Sequence, residues 1–246
     1  MPWHEGPLVG FDLETTGTDP QHARIVTAAV VHTHGGQVTD RRLWLADPGV
    51  AIPDEAAAIH GITSERARAQ GRPAPDVVEE VAAALTAHWR AGTPVVAYNA
   101  SFDLTLLEAE LRRHALPPLA ERLGGEAGPV VDPYTIDRAV DRYRKGRRTL
   151  EAVCREYGVE LESAHEAGAD ALAAVRVARA IAVRHARTAR YAPWELHRAQ
   201  VEWYAQWADG YQRWLRRQGG AGADAVVDPQ WPVRRPGGLT AATVPR

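Results

Sequence analysis

Long apolar runs, cysteine and lysine are what this 246-residue chain has least of. No stretch approaches the roughly 20 consecutive apolar residues of a membrane helix, so a helical membrane protein is not expected. The single cysteine, Cys154, leaves no partner for an intrachain disulfide and no CxxC pair for zinc. His32 and His34 form an HxH on one strand face. With no cysteine, third histidine or carboxylate motif nearby, zinc is not expected there either. Lys145 is the only lysine beside many arginines and alanines, a bias that reflects base composition rather than function. The N-terminal MPWHEGPL has neither the basic segment nor the apolar core of a secretory signal, and a cytoplasmic location is the expectation. A formal net charge of −2 excludes a strongly basic chain. It still permits nucleic-acid binding through a local basic path. What remains, 45% hydrophobic and 24% charged residues, is an ordinary globular composition. The length accommodates one sizeable domain, or one domain with an appendage. No internal repeat is visible.

Periodicity and punctuation divide the chain. Residues 7–12 read as a strand that ends in a turn at Thr15-Thr16-Gly17. RIVTAAVVHT (24–33) and QVTDRRLWL (37–45) read as two strands of a hairpin turned at Gly35-Gly36. Pro53 to His60 is a short helix or turn, and residues 75–90 have helical apolar spacing up to Gly92. PVVAYN (94–99) is a short buried strand, followed by a helix over 101–116 that Pro117-Pro118 stops. PVVD (129–132) is another strand, and Asp132 with Pro133 predicts an N-cap followed by a first helical residue. Helices over 150–158 and 168–187 follow. Three early strands and then strand–helix alternation predict an α/β domain with a mixed sheet over residues 1–187. Residues 188–218 form an aromatic-rich C-terminal helix: Trp203, Trp207, Tyr211 and Trp214 fall on one helical stripe. The Gly/Pro-rich stretch 219–246 is expected to be loosely ordered.

The chemistry lies in three short segments. In FDLETTG (11–17), Asp12 and Glu14 are two residues apart on a strand and therefore on one face. Adjacent carboxylates on an apolar strand repel and lose solvation, and a hard cation such as Mg²⁺ or Mn²⁺ offsets both costs. The rival reading is a strand end that surfaces at a turn with both carboxylates solvated. NASFDL (99–104) places Asp103 just inside a helix, where a carboxylate also favours the N-terminus for its own sake. HEAGAD (165–170) places Asp170 at a helix start, with His165 five residues before it.

Each segment alone is weak, but in this order they resemble the DEDD exonuclease superfamily. The closest likeness is to its DnaQ-like branch with the HxxxxD spacing, which includes the proofreading subunit of bacterial replicative polymerase. The resemblance covers roughly residues 7–187. It implies a ribonuclease-H-like fold, with a mixed five-stranded sheet flanked by helices, to which the C-terminal helix is an extension. It also implies a 3′→5′ exonuclease that releases nucleoside monophosphates from single-stranded or frayed DNA ends, using two divalent ions, Mg²⁺ or Mn²⁺. Asp12, Glu14 and Asp170 would hold metal directly, Asp103 would complete the set, and His165 would be the general base. Within DEAAAIHGIT (54–63), Glu55 and His60 match positions that the family places near the terminal nucleotide; the structural alternative is that His60 caps a turn anchored by Ile59 and Ile62. Thr15 would approach the same nucleotide. Phe102 is either a base-stacking wedge or core.

The basic run RAVDRYRKGRR (138–148) is either a phosphate contact or, as charge runs usually are, a solvated face. Cys154 is expected in the core. The aromatic helix at 194–217 is expected to fold back on its own domain, with a protein partner or dimer mate as the alternative. Two rival functions remain: an RNA 3′→5′ exoribonuclease with the same motifs, and a binding or scaffold module acting through the C-terminal helix.

Overall fold

The computed structural model describes residues 1–162 and 164–235. Six strands, β1 (Pro7–Thr15), β2 (Ile25–His34), β3 (Gln37–Asp47), β4 (Arg72–Pro73), β5 (Val95–Val96) and β6 (Val130–Val131), form one sheet in the order β4-β3-β2-β1-β5-β6. β1, β2 and β3 are antiparallel neighbours, while β5 and β6 run parallel to β1. The mixed sheet thus has six strands rather than the expected five. The additional one is a two-residue strand paired with the end of β3, too short to leave a periodic signature.

Nine helices surround the sheet among the described residues: α1 (Asp54–His60), α2 (Ser64–Gln70), α3 (Ala74–Arg90), α4 (Ala100–Arg113), α5 (Leu119–Leu123), α6 (Pro133–Val140), α7 (Leu150–Tyr157), α8 (Ala167–Arg184) and α9 (Pro193–Gln218). Local chemistry sets several of these boundaries. Gly35 and Gly36 both take positive φ (59° and 84°), the geometry that lets a two-residue turn join β2 to β3. Asp132 caps α6 by accepting from the Tyr134 amide, with Pro133 at the first helical position. Gly158 closes α7 in the left-handed conformation.

β1 is buried on both faces, so it reads as a nearly continuous apolar run. Val9, Phe11 and Leu13 point to one side and join the largest core cluster with side chains of α3 and α4. Leu8 points to the other side, into a second cluster built largely from α8. On that α8-facing side the strand presents Leu8, Gly10, Asp12 and Glu14 in succession. Gly10 is there for a steric reason: a Cβ on it would lie 2.4 Å from the Ala171 carbonyl oxygen and 2.8 Å from its carbon. Only glycine lets α8 lie this close to β1.

The C-terminal segment is part of the same fold. Leu196, Tyr204 and Ala208 of α9 are buried, and α9 packs on β6 and α6. Of the aromatic stripe, Trp203 and Trp207 pack half-buried against the core clusters, Tyr211 is half-buried and Trp214 is exposed. The chain beyond α9 differs from the loose tail expected from residue 219: Trp231 is buried in the main core, and its indole donates to the buried Asp132 carboxylate at 3.3 Å. One tryptophan supplies enough apolar area to anchor a Gly/Pro-rich segment. The rest of that expected tail, residues 236–246, lies outside the described residues. No helix among the described residues is long and apolar enough to cross a membrane.

Candidate active site

The C-terminal ends of the parallel strands β1, β5 and β6 open on one cleft of about 240 Å³, the usual place for a ligand in an open α/β sheet. Asp12 and Glu14 come from the end of β1, Asp103 from the first turn of α4, Asp170 from the first turn of α8, and His165 from the loop before α8. All five predicted residues line this cleft. Glu14 and Asp103 are buried, at 4% and 3% exposure, while Asp12 and Asp170 are half-buried and His165 faces solvent. Glu14, His165 and Asp170 each offer one ligand atom, and those three atoms lie within 4.8 Å of one another. A buried carboxylate against a second carboxylate and an imidazole is a donor set for a divalent cation. The oxygen-rich remainder of the cleft, Asp12 and Asp103, suits a hard ion such as Mg²⁺ or Mn²⁺.

Backbone devices place these side chains. β1 breaks register between Glu14 and Thr15, a bulge at the end of the acidic pair. Among the described residues three non-glycine residues have positive φ, and two of them, Asn99 (61°) and His165 (64°), line the cleft. Strained backbone of this kind persists where surrounding contacts enforce it. At Asn99 the enforcing contact is its amide, which donates to Asp132 Oδ1 at 2.9 Å. At His165 it is the amide donating to Asp170 Oδ2 at 3.2 Å, which ties the histidine loop to the first turn of α8.

Asp132 is a hub that sequence reasoning read only as a cap. Its carboxylate also accepts from the Thr135 hydroxyl (2.8 Å) and the Trp231 indole, and its amide donates to Gln200 Oε1 of α9 at 2.7 Å. Burial raises its pKa, opposed by those donors. The lining also includes Tyr98, Tyr134, Glu151 and Arg155, which sequence reasoning missed, and Arg147 and Arg148 of the basic run. Tyr98 donates to the Arg148 carbonyl at 2.7 Å, and burial holds its phenol well above the ordinary value. The basic run is not merely a solvated face. Arg144 and Arg148 both bind the buried Asp137 carboxylate, Arg138 lies between the Tyr134 and Trp207 rings, and Arg147 reaches the cleft.

The four residues expected at the terminal nucleotide are not among those lining the cleft. Thr15 is buried, and its hydroxyl donates to the Gly17 carbonyl at 2.8 Å. Phe102 is in the main core, as its alternative reading held. His60 Nδ1 accepts from the Ile62 amide at 3.2 Å, closing the turn after α1, and Ile62 is buried beneath it. Ile59, by contrast, is 57% exposed and anchors nothing, and Glu55 is exposed.

Comparison with known proteins agrees with this geometry. A family model described as Exonuclease (RNase_T) matches residues 9–178, which include all three motif segments. The chain belongs to the RNase T exonuclease family. Among curated relatives, the PolC-type DNA polymerase III of Halalkalibacterium halodurans is 31% identical over 172 residues, and that of Streptococcus thermophilus is 29% identical over 174. Each alignment covers 70% of this chain but 11% of the polymerase. The solved structure of E. coli Exonuclease I in complex with a dT13 oligonucleotide superposes with a TM-score of 0.63 at 23% identity, covering 74% of this chain and 42% of that one. At that identity the likeness shows the fold. The end of α8 after Ala178, the whole of α9 and the segment after it lie outside the family match.

Proposed function

We propose that this protein is a metal-dependent 3′→5′ exonuclease acting on single-stranded or frayed DNA ends. The observation that carries the reading is the convergence of Asp12, Glu14, Asp103, His165 and Asp170, from three separate segments, on one cleft of an RNase T family fold. The polymerase III relatives and the oligonucleotide-bound E. coli enzyme favour DNA. In this reading Asp12, Glu14 and Asp170 hold two divalent ions, Mg²⁺ or Mn²⁺, and Asp103 completes the acidic set. The bound ions supply neutralisation of the scissile phosphate and ready deprotonation of water near pH 7. His165, on a solvent-facing loop anchored to Asp170, takes the proton from the attacking water. The strain at His165 keeps the imidazole at the cleft mouth, where water enters. Arg147 on the rim offers its charge to an incoming strand, while Arg155 beside it pairs with Glu151. A single, buried cysteine requires no oxidising compartment, in keeping with a cytoplasmic enzyme.

The test is a time course on 5′-labelled single-stranded DNA and matched RNA, with Mn²⁺ or EDTA. The DNA should shorten stepwise from its 3′ end, faster than the RNA, and EDTA or Asp12→Ala should abolish this. DNA left intact in Mn²⁺ would refute the reading. RNA degraded in preference to DNA would move the substrate class to the exoribonuclease alternative.

A further inference from the structure

A second concavity is larger than the acidic cleft: a groove of about 1130 Å³ between α9 and the segment from α6 to Arg148. Its two walls differ in chemistry. One carries Arg138, Arg142, Arg144 and Arg148, with Arg187 at its far side, and no aspartate or glutamate lines the groove. Arg144 and Arg148 are committed to Asp137, but Arg138, Arg142 and Arg187 form no ion pair among the described residues. Arg138 is held by aromatic faces alone, 4.5 Å from the Tyr134 centroid and 4.0 Å from that of Trp207.

The other wall is aromatic. Trp207, Tyr211 and Trp214 stack in sequence, with 13° between successive ring planes and centroids 5.5 and 5.7 Å apart. Trp214 ends this ladder 47% exposed. Core packing explains Leu196, Tyr204 and Ala208, but not aromatic rings laid in register on the open side of the helix. Cations facing a row of rings, with no carboxylate between them, are the means by which proteins hold single strands without reading sequence. The groove also adjoins the cleft: Arg148 lines both, and Tyr134 in the cleft is the ring on which Arg138 of the groove rests.

We propose that this groove is a binding track for single-stranded DNA, holding the nucleotides on the 5′ side of the end that occupies the catalytic cleft. Arg142 and Arg187 contact phosphates, and the Trp207–Trp214 ladder stacks with bases. The direction of the strand rests on the exonuclease reading above; the groove's affinity for single strands does not. From Trp203 to Trp214 the helix spans about 16 Å at about 1.5 Å per residue, the length of about five bases stacked at roughly 3.4 Å. A cleft of about 240 Å³ takes little more than the terminal nucleotide, so a strand must be long to lie along the whole groove as well.

Binding is measured in EDTA, so that no strand is consumed, by anisotropy of fluorescein-labelled oligothymidylates of about 4 and about 20 nucleotides, on the full chain. The longer strand should bind tighter than the shorter. Trp214→Ala should weaken the longer strand roughly tenfold, within the range of one lost base stack. The Arg142→Ala/Arg187→Ala double variant should flatten its log-affinity against log-salt slope by about 1.4, or about 0.7 per phosphate contact on a single strand. All three side chains are exposed, so neither variant should alter the fold. If Trp214→Ala lowers the melting temperature, the double variant carries the test. Hydrolysis of the short strand in Mn²⁺ should be unchanged in every variant. Unchanged affinity of both variants for the longer strand would overturn the proposal and leave the groove to a protein partner. A wild type that binds the long strand through these residues yet cleaves nothing would refute the exonuclease reading and leave the groove standing.

Discussion

Adding a single methyl group at Gly10 should disable the site from beneath. A Cβ at this position would sit 2.4 Å from the Ala171 oxygen, 2.8 Å from its carbon and 3.1 Å from Val175 Cγ2. The first two contacts are backbone, so no rotamer change relieves them. Restoring an ordinary contact of 3.4 Å requires α8 to recede from β1 by about 1 Å, the difference between 3.4 and 2.4. Overpacking of this kind costs about 1–3 kcal/mol. For a chain of this size that is roughly 2–4 °C in melting temperature per kcal/mol. The functional effect should be larger than the stability effect. Asp170 directly precedes Ala171, and the His165 amide is anchored on its carboxylate, so both move with the helix while Asp12 and Glu14 stay with the strand. A misplacement of about 1 Å costs on the order of a hundredfold in rate. The assay is single-turnover cleavage of single-stranded DNA at a temperature well below both melting transitions. Gly125→Ala serves as the control, because a Cβ there meets nothing within 4 Å. Gly10→Ala should lose about two orders of magnitude while remaining folded. A folded Gly10→Ala enzyme with wild-type rate would refute the claim that close β1–α8 packing sets the site.

Three further outcomes follow from the same structure. Asp132→Ala strips the acceptor from the Asn99 and Tyr134 amides, the Thr135 hydroxyl and the Trp231 indole; at about 1–3 kcal/mol per orphaned buried group, the loss read from denaturant midpoints should reach at least about 3 kcal/mol. Cys154 is buried and its thiol is pushed up to about 11 by burial and then by the Asp170 charge, so it should resist a thiol reagent at pH 8 until the protein is unfolded. Glu80 is held down to about 2 by hydrogen bonds from Arg72 and the Trp44 indole. A lowered carboxylate stabilises the fold above its ordinary value of 4.5 and loses that contribution as pH falls toward 2. The melting-temperature gap between wild type and Glu80→Gln should therefore be present at pH 7 and close in acid.

The candidate acidic constellation was legible because each of its parts is local. Asp12 and Glu14 share a face by strand period alone, and Asp103 and Asp170 mark helix starts. The hairpin at Gly35-Gly36 and the α6 cap at Asp132 were legible for the same reason. What escaped depends on contacts between distant parts of the chain. Trp231 meets Asp132 across 99 residues, and nothing near Trp231 in the sequence announces a core position. β5 and β6 pair over only two residues each, so PVVAYN reads longer than the strand it forms. Arg138 to Arg148 look solvated as a run. Only the fold brings Asp137 under two of these arginines and Trp207 over a third. The family resemblance pointed to five positions, Asp12, Glu14, Asp103, His165 and Asp170, that the fold brings to one cleft. It also pointed to Thr15, Glu55, His60 and Phe102, which do not line that cleft, and a turn or a core position accepts the same residue types.

The central claim is that the acidic cleft is a divalent-metal centre. Crystals grown with MnCl₂ and measured at the manganese absorption edge test it directly. The account predicts anomalous density in the cleft against Glu14 and Asp170, extending toward Asp12, and its loss in Asp12→Asn/Asp170→Asn crystals. Manganese bound elsewhere on the chain, with none between these carboxylates, would contradict it.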